Sequence, residues 1–214
     1  MSRRDELAAN LASVQSRITN PNVTLIVVTK TYPVSDVQIL SELGITHFGE
    51  NRNEEGLEKS SIVDATWHYQ GEIQSRKLRD IAQWANVIHS LDTASHIAKL
   101  DSVATSSIDV FLQLSLDGDP SRGGVIESDL PVLADSVLAS SHLNLMGLMC
   151  VPPVATDPQM AFTEIAAIHR RFISTYPAAK SLSAGMSGDY EIAIDCGATH
   201  IRVGSSILGS RTTR

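Results

Sequence analysis

The chain has too few cysteines to be held together by disulfides. Cys150 and Cys196 are the only two among 214 residues, and they have neither a CxxC partner nor metal-type spacing. Isolated thiols of this kind fit a reduced compartment, so a cytoplasmic chain is expected, with each cysteine packed as a small hydrophobe. Positive charge is also scarce. Lys and Arg number 17 against 24 Asp and Glu, for a net charge of −7, which argues against nucleic-acid binding through a basic surface. No apolar run approaches the roughly 18 residues that span a bilayer, so no membrane partner is expected. The start, Met1-Ser2-Arg3-Arg4-Asp5-Glu6-Leu7, lacks the apolar core of a signal peptide. Low-complexity tracts, long charge runs and linkers are missing as well. What is present is ordinary globular composition, 43% hydrophobic and 19% charged, enough for the core of one large domain over 1–214.

Leu7, Leu11, Val14 and Ile18 have helical spacing after Ser2 and Asp5, a candidate capping box. Strand-like and helix-like segments then alternate. The strand candidates are Val23–Thr29, Thr46–Gly49, Thr66–Gly71, Val87–Leu91, Asp109–Leu116, Asn144–Met149, Ser181–Ala184 and His200–Val203. Between them run helical patterns such as Ser35–Leu43, Ser75–Trp84, Ser95–Thr105, Asp129–Ala139 and Asp157–Thr175. Such alternation implies parallel strands joined by helical crossovers. Eight units predict a single (β/α)8 TIM-type barrel with an extra N-terminal helix; a doubly wound open sheet is the competing architecture.

In such a barrel the reactive groups gather at the C-terminal strand ends, with phosphate commonly held after strands seven and eight. Lys30 ends the first strand. Its stem can pack while the ammonium reaches water, or burial can supply the neutral amine that Schiff-base chemistry needs. The last two loops, Gly185-Met186-Ser187-Gly188-Asp189 and Gly204-Ser205-Ser206, offer small residues whose backbone N–H groups can approach a phosphate. Ordinary turns favour the same residues, but both loops lie where barrels bind phosphate. An amine facing a phosphate cradle suits a ligand with an aldehyde and a phosphate: pyridoxal 5′-phosphate (PLP) or a sugar phosphate. Arg202, on the eighth strand, favours PLP, because its guanidinium can donate to the pyridine nitrogen and keep it unprotonated. A salt bridge from Arg202 to Asp189, Glu191 or Asp195 is the plainer alternative.

These residues resemble the pyridoxal phosphate homeostasis protein family (YggS-like). The resemblance rests on Val28-Thr29-Lys30-Thr31-Tyr32-Pro33, Phe48-Gly49-Glu50-Asn51, Trp67-His68-Tyr69-Gln70-Gly71, Gly147-Leu148-Met149, Leu182-Ser183-Ala184-Gly185-Met186-Ser187-Gly188-Asp189 and Ile201-Arg202-Val203-Gly204-Ser205-Ser206-Ile207-Leu208-Gly209-Ser210-Arg211. It implies a barrel like the N-terminal domain of alanine racemases, with PLP as a Schiff base on Lys30. It further implies phosphate contacts from Ser187, Gly204 and Ser205, Arg202 at the ring nitrogen, and Asn51 as a further contact. The implied role is PLP (vitamin B6) homeostasis, as carrier or regulator without an expected turnover, with apo PLP-dependent enzymes as exchange partners. Glu72, Arg76, Arg122 and Ala184 depart from the residues usual in the family.

Three rivals are weighed against this reading. An amino-acid racemase needs a second acid/base on the opposite ring face, and Tyr32, Tyr69, Tyr176 and Tyr190 are expected to be packing or surface residues instead. A metal-dependent hydrolase would recruit His47, His68 and His89, yet no HxH follows strand one; no metal ligands are expected, and hydrogen-bonded packing is the expected role of these rings. A ligand-free interaction protein would leave Lys30 and both loops unexplained. A monomer is expected.

Overall fold

The computed structural model describes residues 2–209, so Ser210 and Arg211 of the last motif lie outside the described residues. Eight strands run β1 (Thr24–Val28), β2 (His47–Glu50), β3 (Thr66–Tyr69), β4 (Val87–Leu91), β5 (Ile108–Leu114), β6 (Leu143–Cys150), β7 (Ser181–Met186) and β8 (His200–Val203). All neighbours pair in parallel and β1 pairs with both β2 and β8, which closes the barrel. The open-sheet alternative is therefore excluded. The helices are α1 (Arg3–Gln15), α2 (Val34–Glu42), α3 (Asn53–Ser60), α4 (Leu78–Trp84), α5 (Ala94–Val103), α6 (Leu130–Leu138), α7 (Pro158–Thr175), α8 (Tyr190–Asp195) and α9 (Ser205–Leu208).

Local sequence explains the main boundaries. The Ser2–Asp5 capping box forms as the spacing predicts: Ser2 Oγ accepts from the Asp5 N–H and the Asp5 carboxylate accepts from the Ser2 N–H. Asp157 caps α7, the longest described helix, and Phe162, Ile165 and Phe172 bury its apolar stripe. Strand ends differ from the sequence expectation by one or two residues. β7 continues to Met186 instead of stopping at Ala184, and β3 stops at Tyr69 because Gly71 already lies against the Asn51 backbone. A Cβ on Gly71 would lie 2.1 Å from the Asn51 carbonyl oxygen, so only glycine permits that approach.

The strands divide two unequal cores. Between strands and helices lies one large apolar cluster that includes Leu7, Phe48, Trp67, Ile88, Leu112, Phe162 and Ile201. On the other side of the same strands, Val87, Phe111 and Met149 form a small cluster beside a polar set. There the Phe111 ring stacks on His89 at 4.5 Å and meets His200 edge-on at 5.2 Å. Alternation along β3, β4 and β8 sends one side chain to the large core and the next into the barrel. Outside the ring, α1 clasps the far end of the chain: Arg3 donates to the Leu208 carbonyl and Asn10 to that of Ile207.

Candidate functional site

At the C-terminal ends of the strands is a cavity of about 420 Å³. Its lining brings together all six residues singled out from the sequence: Lys30, Asn51, Ser187, Arg202, Gly204 and Ser205. A second chamber of about 570 Å³ adjoins it across Gln70, Met149 and Val151.

Lys30, half-buried, follows β1 within a braced segment. On one side of it the Thr29 carbonyl accepts from Lys59 Nζ at 2.8 Å, and Thr29 Oγ1 donates to Glu50 at 2.6 Å. On the other, the Thr31 N–H donates to Glu55 Oε2 at 2.6 Å. Thr31 has φ +70°, the left-handed region that a β-branched residue rarely enters. Lys59 and Glu50 are joined at 2.6 Å with side chains 4% and 0% exposed. Burial raises the Glu50 carboxyl pKa, while hydrogen bonds from Lys59 and Thr29 pull it down. Sequence reasoning missed this brace, because a lysine in a short polar helix gives no signal of burial.

Arg202 is held differently. Its Nη1 donates to the Ser183 carbonyl at 2.8 Å and to Ser183 Oγ at 2.6 Å, and Nη2 donates to the Cys150 carbonyl at 3.0 Å. None of Asp189, Glu191 and Asp195 pairs with it, so the salt-bridge alternative does not hold: Asp189 instead accepts from the Met186 N–H, and Glu191 pairs with Arg17. Burial lowers the guanidinium pKa to about 10. The neighbouring Cys150 thiol is pushed up to about 12 by the same burial, which keeps it protonated and unreactive.

The β7 and β8 loops meet at Ser187. Its hydroxyl accepts from the backbone N–H groups of Gly204 at 3.2 Å and Ser206 at 3.4 Å, and Ser206 Oγ donates to the Ser187 carbonyl. Two amides thus converge on one hydroxyl oxygen, the donor arrangement an anion cradle requires. A Cβ on Gly204 would come within 3.1 Å of the Val28 carbonyl oxygen, so a larger residue would crowd the floor of the cradle.

Two polar lining residues, Gln70 and Tyr32, were not among the candidates. Gln70 borders both chambers and its buried Nε2 has no partner among the described residues. Tyr32 packs against the large core as expected, but it also lines the cavity and donates its hydroxyl to the Gly209 carbonyl at 2.7 Å. The sequence hint for both lay in their motifs, Trp67–Gly71 and Val28–Pro33. His47, His68 and His89 do converge, but ring nitrogen to ring nitrogen, at 3.0 Å and 2.9 Å. The lone pairs that a metal would need are spent within this line, on neighbouring rings and on the Ser183 hydroxyl.

Residues 3–212 match the family model of the alanine racemase N-terminal domain. A pyridoxal phosphate homeostasis protein of Corynebacterium glutamicum is 41% identical over 201 residues, covering 89% of this chain and 91% of its own. One from Mycobacterium leprae is 38% identical over 246 residues, covering 99% and 95%. Among solved structures, PipY of Synechococcus elongatus with PLP bound aligns with TM-score 0.87 at 31% identity, covering 95% of this chain and 100% of that one. The chain therefore belongs to the pyridoxal phosphate homeostasis protein family, within the wider family of alanine racemase N-terminal domains.

Proposed function

We propose that this chain, as one barrel domain over 1–214, binds PLP at the C-terminal mouth and serves intracellular PLP homeostasis as a carrier or regulator. The observation that carries the reading is the convergence of Lys30, Arg202 and the Ser187–Gly204–Ser205 cradle on one cavity of about 420 Å³. The residues present suit the group. The amides now satisfied by Ser187 Oγ are donors of the kind a phosphate takes, and Gln70 Nε2 is a donor still without a partner. When bound, PLP supplies an aldehyde that links covalently to an amine and a ring that withdraws electrons. Lys30 supplies the amine. Ser187, Gly204 and Ser205 hold the phosphate, Asn51 adds a polar wall, and Arg202 directs an N–H toward the ring nitrogen. A cationic donor there disfavours a second positive charge on the ring.

Absence of turnover is part of the proposal. Among the described lining residues, the ionisable groups besides Lys30 and Arg202 reduce to Tyr32, whose hydroxyl is committed to Gly209. Two-base racemisation needs a second proton carrier. No described helix is long and apolar enough to cross a membrane; a cytoplasmic monomer exchanging PLP with apo-enzymes accords with free Cys150 and Cys196.

Borohydride reduction of the purified protein followed by peptide mapping tests the site. The pyridoxyl label is expected on the peptide bearing Lys30, and Lys30→Ala should lose both label and yellow colour while circular dichroism is unchanged. Label on another lysine would overturn the assignment. Incubation with L-alanine should yield no D-isomer, and steady D-alanine formation would overturn the carrier reading.

A further inference from the structure

Behind Arg202 the barrel interior holds an unbroken line of polar contacts. Arg202 Nη1 reaches Ser183 Oγ at 2.6 Å and His89 Nδ1 lies 2.9 Å from the same oxygen. His89 Nε2 is 2.9 Å from His68 Nδ1, and His68 Nε2 is 3.0 Å from His47 Nδ1. Five strands contribute: β8, β7, β4, β3 and β2, which His47 opens. His47 borders a hollow on the opposite face of the barrel together with Gln15, Asn20 and Thr24.

The donors in this line can be assigned by elimination. A guanidinium only donates, so Ser183 Oγ accepts from Arg202. The serine proton then needs an acceptor, and His89 Nδ1 is the one that the described contacts provide. Ser183 is fully buried, so a reversed contact would strand its O–H at a cost of about 1–3 kcal/mol. A neutral His89 accepting at Nδ1 carries its proton on Nε2 and donates to His68 Nδ1. The same logic makes His68 donate from Nε2 to His47 Nδ1, leaving the His47 Nε2–H for the far face. Every link points the same way. Burial supports neutral rings, since it lowers the His68 and His89 pKa values well below the usual range. The charged or titratable groups facing this line are His200 and Arg202 from β8, Cys150 from β6 and, acting on Arg202 from the loop after β7, Asp189, with Phe111 of β5 stacked on His89.

We propose that Ser183, His89, His68 and His47 form one polarised hydrogen-bond chain through the barrel, which positions Arg202 and connects its guanidinium with the N-terminal face. Arg202 stays protonated throughout, and each group donates one proton outward to the next acceptor, ending at the His47 Nε2–H. No link requires a bound ligand, so the chain stands or falls apart from the PLP reading.

Nitrogen-15 NMR of the histidine side chains in the full chain as purified, at neutral pH, tests it. All three rings should be Nε2–H tautomers with Nδ1 as acceptor. His47→Phe removes the terminal acceptor, and it should shift the side-chain signals of His68, His89 and Arg202 Nη1. His47→Gln, whose amide oxygen can accept from His68, should restore them. An Nδ1–H tautomer or an imidazolium at any of the three rings would overturn the proposal. So would a His47→Phe protein with His89 and Arg202 signals in the wild-type positions. If the phenylalanine variant does not fold, the wild-type tautomers still decide.

Discussion

The two cations of the mouth are held by opposite means. The Lys30 segment is braced by charge: Glu55 takes the Thr31 amide, and a buried Lys59–Glu50 pair grips Thr29. Arg202, although buried, is held by two carbonyls and a hydroxyl with no carboxylate paired to it among the described residues. A desolvated guanidinium without a counterion is a poor investment for stability, so its charge points to a ligand. The ionic brace has a different logic. It fixes the left-handed turn that aims Lys30, and its charges cancel locally.

Lys59→Met should break the ionic side most severely, because it leaves Glu50 buried and uncompensated. A loss of about 3–5 kcal/mol is expected in urea unfolding; a loss under 1 kcal/mol would show that the pair is not structural. Acid should undo the neutral side first. His68 and His89 have folded pKa values below the ordinary 6.5, so the unfolded chain binds more protons once the pH drops past that value. Stability should therefore be full above pH 6.5 and fall on acidification between pH 6.5 and 5.5. Denaturant midpoints across that range check the slope. Arg202→Met strands two carbonyls but also relieves a buried charge, so a smaller change of about 1–2 kcal/mol is expected. Its PLP affinity, read by spectral titration, should nevertheless drop at least tenfold, and Lys59→Met should not match that drop once folded protein is compared. Thr31→Gly should be the mildest change, stabilising by about 0.5–1 kcal/mol through relief of strain. A destabilised Thr31→Gly protein would mean that the turn carries no such strain.

Much of this was legible in the chain. Alternating apolar patterns with breakers between them gave eight strands in the correct order, since parallel strands buried on both sides read as short apolar runs. Lys30, Ser187 and Gly204 stood out only together: each alone has an ordinary structural explanation, but an amine and two Gly/Ser loops fall at the strand ends where barrels gather reactive groups and phosphate. The supports were invisible. Lys59 looks like a solvated helix residue, and only the approach of α3 to the end of β1 buries it. Ser183, His68 and His89 alternate with apolar neighbours as barrel-lining positions do, but the register that sets them in one line is a property of the closed sheet.

The Tyr32 phenol bonded to the Gly209 carbonyl ties the turn bearing Lys30 to the segment that follows the Gly204–Ser205 cradle. That single strap makes the two grips on a cargo mechanically dependent, so slackening at either rim is felt at the other. A vessel built this way lets go all at once, as release under the proposed carrier role requires.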